Sequence, residues 1–187
     1  IAVMEGLIAR LDAKPKARAS QCFIEPGKPA SGFNPECIDY IIHPRGLTNL
    51  SNEIDLIVSR AVLQHVNNLD ATFADMQSAL RVGGTAIHQV DLRSLGMHYR
   101  NPLDFLTWSE MAWKLMYDCK GVINRARLDQ YRAICKAQGL NIVSLKVVAQ
   151  AEPADINAVR PYLAAPFRKL SNEDLAGLEF WLIVEKE

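Results

Sequence analysis

The chain has 187 residues, and 21 Lys and Arg balance 21 Asp and Glu for a formal net charge of zero. That length is one ordinary domain or a domain with a small appendage, and the neutral balance argues against a strongly electrostatic nucleic-acid or polybasic membrane binder. At 49% apolar and 22% charged the composition is globular, and no apolar run approaches the roughly 18 residues a bilayer span needs.

In chain order, Val3, Met4, Leu7, Ile8 and Leu11 follow helical spacing, which predicts a helix over 3–12 ended by Pro15. From Ala17 to Pro35, the breakers Pro26, Gly27, Pro29, Gly32 and Pro35 predict a loop. Cys37–His43 reads as a short strand (38–42 at its centre) stopped by Pro44. Ile54–Ser59 reads as a second strand, apolar enough to be buried on both faces of a parallel sheet. A helix over 71–80, a Gly83-Gly84 turn and a strand over 85–92 complete a βαβ unit. Helices are expected over 103–118 and 126–138, the second stopped by Gly139. A strand over 142–149, an N-cap at Ser171 and a closing strand over 178–185 follow. Strands 54–59 and 85–92 should be parallel neighbours, and the last two strands an antiparallel edge. The alternation implies an α/β three-layer sandwich. Residues 1–36 read as an amino-terminal helix and loop segment, and 37–187 as the main domain with a helical insertion around 103–138.

Cys22, Cys37, Cys119 and Cys135 form no C-x-x-C pair, and the four histidines show no H-x-x-x-H spacing, so no metal site is read. The cysteines are expected to be reduced, mostly buried thiols of a cytoplasmic protein.

The run Ile-Asp-Leu-Ile-Val-Ser-Arg-Ala-Val-Leu-Gln-His-Val at 54–66, followed by a helix and Leu-Arg-Val-Gly-Gly at 80–84, resembles the middle of a class I S-adenosylmethionine-dependent methyltransferase. His88–Arg93, Asn101–Leu106, Trp113, Asn124–Arg127 and Phe167–Leu175 are similar to a bacterial subgroup related to methyltransferase type 11. The resemblance covers roughly residues 37–187 and implies a Rossmann-like sheet. There are departures. The family's glycine-rich cofactor loop and the acidic residue that holds the ribose have no counterpart here. Glu25–Gly32 has glycines too sparse for the loop and no strand before it. Gln64 stands where relatives carry Glu, and Arg93-Ser94-Leu95 where they carry Arg-Asp-His. The expectation is that the first two strands of the fold lie upstream of Ile1, and that S-adenosylmethionine binds this chain alone weakly or not at all.

The resemblance puts Ser59, Arg60 and Ala61 at a cofactor pocket, beyond a strand's carboxyl end; the alternative is a plain strand-to-helix connection. Asp91 and His65 are the candidates for catalytic roles, with packing as the alternative for His65, while His88 is read as structural. Asn124, Arg125 and Arg127 could hold a phosphate or carboxylate of the acceptor, or form a salt-bridge set with Asp118 or Asp129. Trp108 is a candidate wall of that acceptor site, and Trp113 and Tyr117 are read as core or as its lid. Methyl transfer asks for in-line positioning and water exclusion rather than a catalytic triad. Two functions remain: a methyltransferase, or its carboxyl-terminal portion, acting on a small molecule or another unidentified acceptor, or a non-catalytic scaffold or regulatory subunit of the same fold. If Ile1 is close to the true start, strand 54–59 lacks its usual neighbours and is an apolar edge; absent upstream sequence, the chain's own amino-terminal segment or a rearranged strand order could cover it, and a homodimer or heteromer that buries it is expected.

Overall fold

The structure, a computed structural model, describes residues 10, 12–42, 49–94, 96, 100–117 and 123–187, without the side chains of 116 and 117. The chain divides into two units, Ile1–Pro44 and Arg45–Glu187.

In the first unit, helix α1 spans Ala13–Gln21. Pro15 lies in its first turn, contrary to the expectation that it ends a helix and that a loop runs from Ala17. A first-turn residue has no intrahelical acceptor, so proline's missing N–H costs nothing there. The helix expected over 3–12 falls largely outside the described residues. Phe23 then pairs antiparallel with Phe33, their rings stacked at 6.0 Å. The expected strand at 38–42 does not form: these residues join no ladder, and Tyr40 and Ile42 are 81% and 82% exposed. β-propensity acts only where a neighbouring strand supplies partners.

The second unit holds β1 (Ile54–Arg60), α2 (Leu69–Ala79), β2 (Leu80–Asp91), α3 (Glu110–Tyr117), α4 (Leu128–Ala137), β3 (Leu140–Gln150), α5 (Pro153–Val159), α6 (Asn172–Ala176) and β4 (Gly177–Lys186). Sheet order is β1-β2-β4-β3. β1 and β2 are parallel, and β4 runs antiparallel to both β2 and β3, as the sequence predicts. The α/β class is therefore what the strand and helix alternation implied.

Local chemistry explains the boundaries. Asn68 caps α2, its Oδ1 accepting from the Ala71 N–H at 3.0 Å. The helix runs straight into β2, where the ladder jumps from Ile54↔Leu80 to Leu56↔Thr85. The expected 81–84 turn is this bulge. Gly83 has φ +73°, and a Cβ on Gly84 would lie 2.8 Å from the Arg81 carbonyl oxygen and 2.9 Å from that of Ile54. Only glycine allows that approach. The helix expected over 103–118 is broken in two. A single turn at Asp104–Thr107 ends at extended Trp108, and α3 restarts where Ser109 Oγ accepts from the Ala112 N–H at 3.1 Å.

The main core forms where Phe73 and Met76 of α2 and Tyr131 and Ile134 of α4 meet Ala86, Val90, Phe180 and Leu182 of the sheet. Tyr131 packs edge-on against Phe180 at 5.0 Å and Phe73 at 6.2 Å. A second core gathers Leu103, Phe105, Leu106, Ile156, Leu163, Phe167 and Leu175, and it holds the segment after β2 in place. Among the described residues of this unit the sheet ends at β1, where Leu56 is 53% and Val58 64% exposed. Cys135 is buried, but Cys22 is only half-buried and Cys37 exposed, which corrects the expectation of mostly buried thiols.

Candidate functional site

The carboxyl ends of β1 and β2 lie side by side, Ser59 opposite His88 and Arg60 opposite Gln89. Ser59 Oγ is 2.7 Å from His88 Nδ1. His88 is fully buried, and burial pulls its pKa from 6.5 to about 4, so the ring is neutral at pH 7. Its Nε2 has no partner among the described atoms, nor has Oε1 of buried Gln64 in the turn that follows β1. Arg60 and Ala61 are exposed. Ala61 has φ +54°, and its N–H donates to the Gln89 carbonyl at 2.9 Å, so the chain leaves β1 in a sharp, left-handed bend anchored to β2. His65 ends the one-turn helix that follows and is exposed.

Asp91, at the end of β2, lies on the other side of the sheet from His88. It accepts from the backbone N–H and Nε of Arg93, both at 2.9 Å, and from Arg93 Nη2 at 2.6 Å. Arg93 also reaches Glu179 at 3.2 Å, and Glu179 accepts from Gln89. Burial alone would raise the Asp91 carboxyl, but the Arg93 bonds outweigh it and hold the pKa below its ordinary value. The result is a charged, weakly basic carboxylate.

The Asn124–Arg127 segment sends its side chains three ways. Asn124 donates to the carbonyls of Leu63 and Val66 at 2.8 and 2.9 Å, stapling this segment to the turn after β1. Arg125 donates to the Trp108 carbonyl at 2.6 Å, and its guanidinium lies 4.9 Å from the Trp113 ring centroid and 5.1 Å from that of Phe167. Burial lowers its pKa, while Glu110 opposes the shift. Arg127 is fully buried and donates to the carbonyls of Leu92 at 3.1 Å, Leu175 at 2.7 Å and Gly177. It ties the end of β2 to the start of β4 through its two Nη atoms, while its buried Nε has no hydrogen-bond partner among the described atoms. Burial pulls its pKa down to about 10, so it stays charged.

Asn124 and Arg125 line a cleft of about 280 Å³, whose other walls include Val66, Asp70, Glu110, Gln130 and Phe167. Trp108 is 40% exposed and supplies its backbone carbonyl to Arg125. The structure thus brings Asn124, Arg125 and Trp108 together, places Ser59, Arg60, Ala61 and His65 around the strand-end bend whose following turn Asn124 holds, and leaves Arg127 inside. Sequence reasoning did not find the Arg93 clamp on Asp91, although two positions two apart at a strand end share a side. Asp70, Glu110 and Phe167 come from distant segments, and of the three only Phe167 lies in a stretch that the resemblance singles out. Among the described residues, no group of three or more His, Cys, Asp or Glu side chains could hold a metal ion, and no helix is long and apolar enough to cross a membrane.

Residues 9–145 match the sequence profile of a family described as a methyltransferase domain. No curated protein matches the chain. Among solved structures, the chain is similar to an S-adenosylmethionine-dependent methyltransferase from Mesorhizobium loti, at 17% identity and TM-score 0.43, over 75% of this chain and 67% of that one. It is similar to a Methanosarcina mazei S-adenosylmethionine-dependent methyltransferase at 10% identity and TM-score 0.46, over 74% and 62%. A Haloferax volcanii methyltransferase in complex with the Trm112 methyltransferase activator is similar at 12% identity and TM-score 0.40, over 73% and 55%. The chain thus spans about half to two-thirds of the length of these structures.

Proposed function

The chain belongs to the methyltransferase-domain family, and from that premise we propose that it serves S-adenosylmethionine-dependent methyl transfer to a small-molecule acceptor. The family match over residues 9–145 carries the reading. The motif order from Ile54 to Gly84 supports it, as does the sharp bend at Ala61, beyond the carboxyl end of a parallel strand, where α/β sheets bind ligands.

The described residues do not by themselves fit the whole cofactor. Ser59, Arg60 and Ala61 offer one polar wall. No glycine-rich loop lets the backbone approach the methionine part, and Asp91, a carboxylate at the end of the neighbouring strand, is engaged by Arg93. We assign the acceptor to the cleft beside Arg125, where one guanidinium and the Asp70 and Glu110 carboxylates suit a small polar molecule carrying both signs of charge. Arg127 keeps the frame, and His65 stays a candidate at the rim of the bend.

Association is part of the proposal: a second polypeptide covers the open edge of β1. A cytoplasmic location accords with an exposed Cys37 thiol. The non-catalytic reading is favoured by one observation, the Arg93 clamp that leaves Asp91 a poor base. Calorimetric titration with S-adenosylmethionine separates the two. Weak, saturable binding, with Kd above about 100 μM, is expected. No binding at millimolar ligand would support the scaffold, and micromolar affinity would show that the chain holds a complete cofactor site.

A further inference from the structure

We propose that the cleft beside Arg125 takes a small ligand with one net positive charge, an aliphatic diamino carboxylic acid whose carboxylate meets Arg125 and whose two ammonium groups meet Asp70 and Glu110. This rests on the reading that the cleft holds the acceptor, and it names the acceptor's class.

Elsewhere among the described residues, guanidiniums beside carboxylates close onto them: Arg81 onto Asp55, Arg93 onto Asp91 and Glu179, Arg132 onto Asp174. In this cleft they do not. Arg125, Asp70 and Glu110 line one space of about 280 Å³, yet no ion pair joins them. Arg125 spends one N–H on the Trp108 carbonyl at 2.6 Å, and Glu110 acts on it only through space. Asp70 and Glu110 make no hydrogen bond to a described residue. Each stands in the first turn of a helix, where the helix dipole favours an acid. Neither is the cap, because Asn68 caps α2 and Ser109 caps α3. Their oxygens are therefore left for a partner inside the cleft.

Charge then selects the ligand. Two carboxylates and one guanidinium give the lining one net negative charge, since no other described lining residue is charged. A phosphate, with about two negative charges near pH 7, would meet repulsion. A simple zwitterion would leave one carboxylate unmatched. One carboxylate with two ammonium groups answers all three side chains, the carboxylate on the fork of Arg125. Val66, Leu69, Ile134 and Phe167 supply an apolar wall for the stem between them. The volume lies at the small end of ligand sites, which favours a free amino acid over a peptide.

The test is calorimetric titration of the full chain with three probes of similar stem. These are L-lysine, L-norleucine, which lacks the side-chain ammonium, and cadaverine, which lacks the carboxylate. Each is titrated with and without millimolar S-adenosylhomocysteine, so that a cleft completed only by that product is also read. Lysine should bind about tenfold tighter than either of the others. Asp70→Asn and Glu110→Gln, at exposed positions, should each narrow the preference for lysine over norleucine. Arg125→Gln should erase the preference for lysine over cadaverine and spare the other, with folding checked by circular dichroism. Norleucine binding as tightly as lysine would overturn this inference and leave a zwitterionic acceptor standing. Binding of none of the probes, or preferences that survive all three variants, would also overturn it. A lysine preference in a chain that binds no S-adenosylmethionine would uphold the ligand class and overturn the methyl-transfer reading instead.

Discussion

Arg125 and Arg127 are two residues apart and chemically identical, yet only one of them faces a cleft. The sequence Asn-Arg-Ala-Arg showed that guanidiniums gather here but not which one turns inward, because the carbonyls that capture Arg127 come from Leu92, Leu175 and Gly177. Replacing Arg127 with Met would leave three buried carbonyls unpaired and should cost more than about 3 kcal/mol. Arg125→Ala removes ring contacts at a half-open site and should cost only about 1–2 kcal/mol; urea midpoints of the two variants check the contrast. His88 was legible as structural, and its environment adds a pH dependence. Its pKa falls from 6.5 in the unfolded chain to about 4 in the fold. Between those values the unfolded state holds a proton that the folded state refuses, so stability rises with pH across that window. Acidifying from pH 7 to pH 4 should remove about 3 kcal/mol, and most of that slope should vanish in His88→Gln. Asp91 acts lower, below its ordinary 3.8, because its pKa is depressed.

At the scale of elements, the βαβ unit was readable because its signals are local: an apolar strand, a capped helix and two glycines in order. Gly84 is the tightest point, its α-carbon facing two carbonyl oxygens with no room for a methyl group. Gly84→Ala should lower stability by about 1–3 kcal/mol, measured by thermal or urea unfolding, whereas Gly83→Ala costs about 1 kcal/mol through its positive φ alone. The misread elements failed where a distant partner or a positional rule decides. Pro15 looks like a helix stop yet sits in a first turn. Residues 38–42 have strand composition without a neighbouring strand. Trp108–Ser109 interrupts an otherwise helical pattern because Ser109 is itself a cap.

At the scale of the whole molecule, the sheet order and the antiparallel β3–β4 pair accord with a methyltransferase-domain chain. The sequence pattern foretold that β1 and β2 are parallel neighbours, which the sheet order bears out. It could not foretell the cleft, whose walls meet only after folding. The central assignment is that the bend after β1 forms one wall of the methyl-donor site. Ultraviolet cross-linking of tritiated S-adenosylmethionine to the full chain at millimolar concentration, followed by peptide mapping, tests it most directly. The predicted result is label in the peptide carrying Ser59, Arg60, Ala61 and His65, suppressed by S-adenosylhomocysteine. Label confined to other peptides, or unaffected by that competitor, would contradict it.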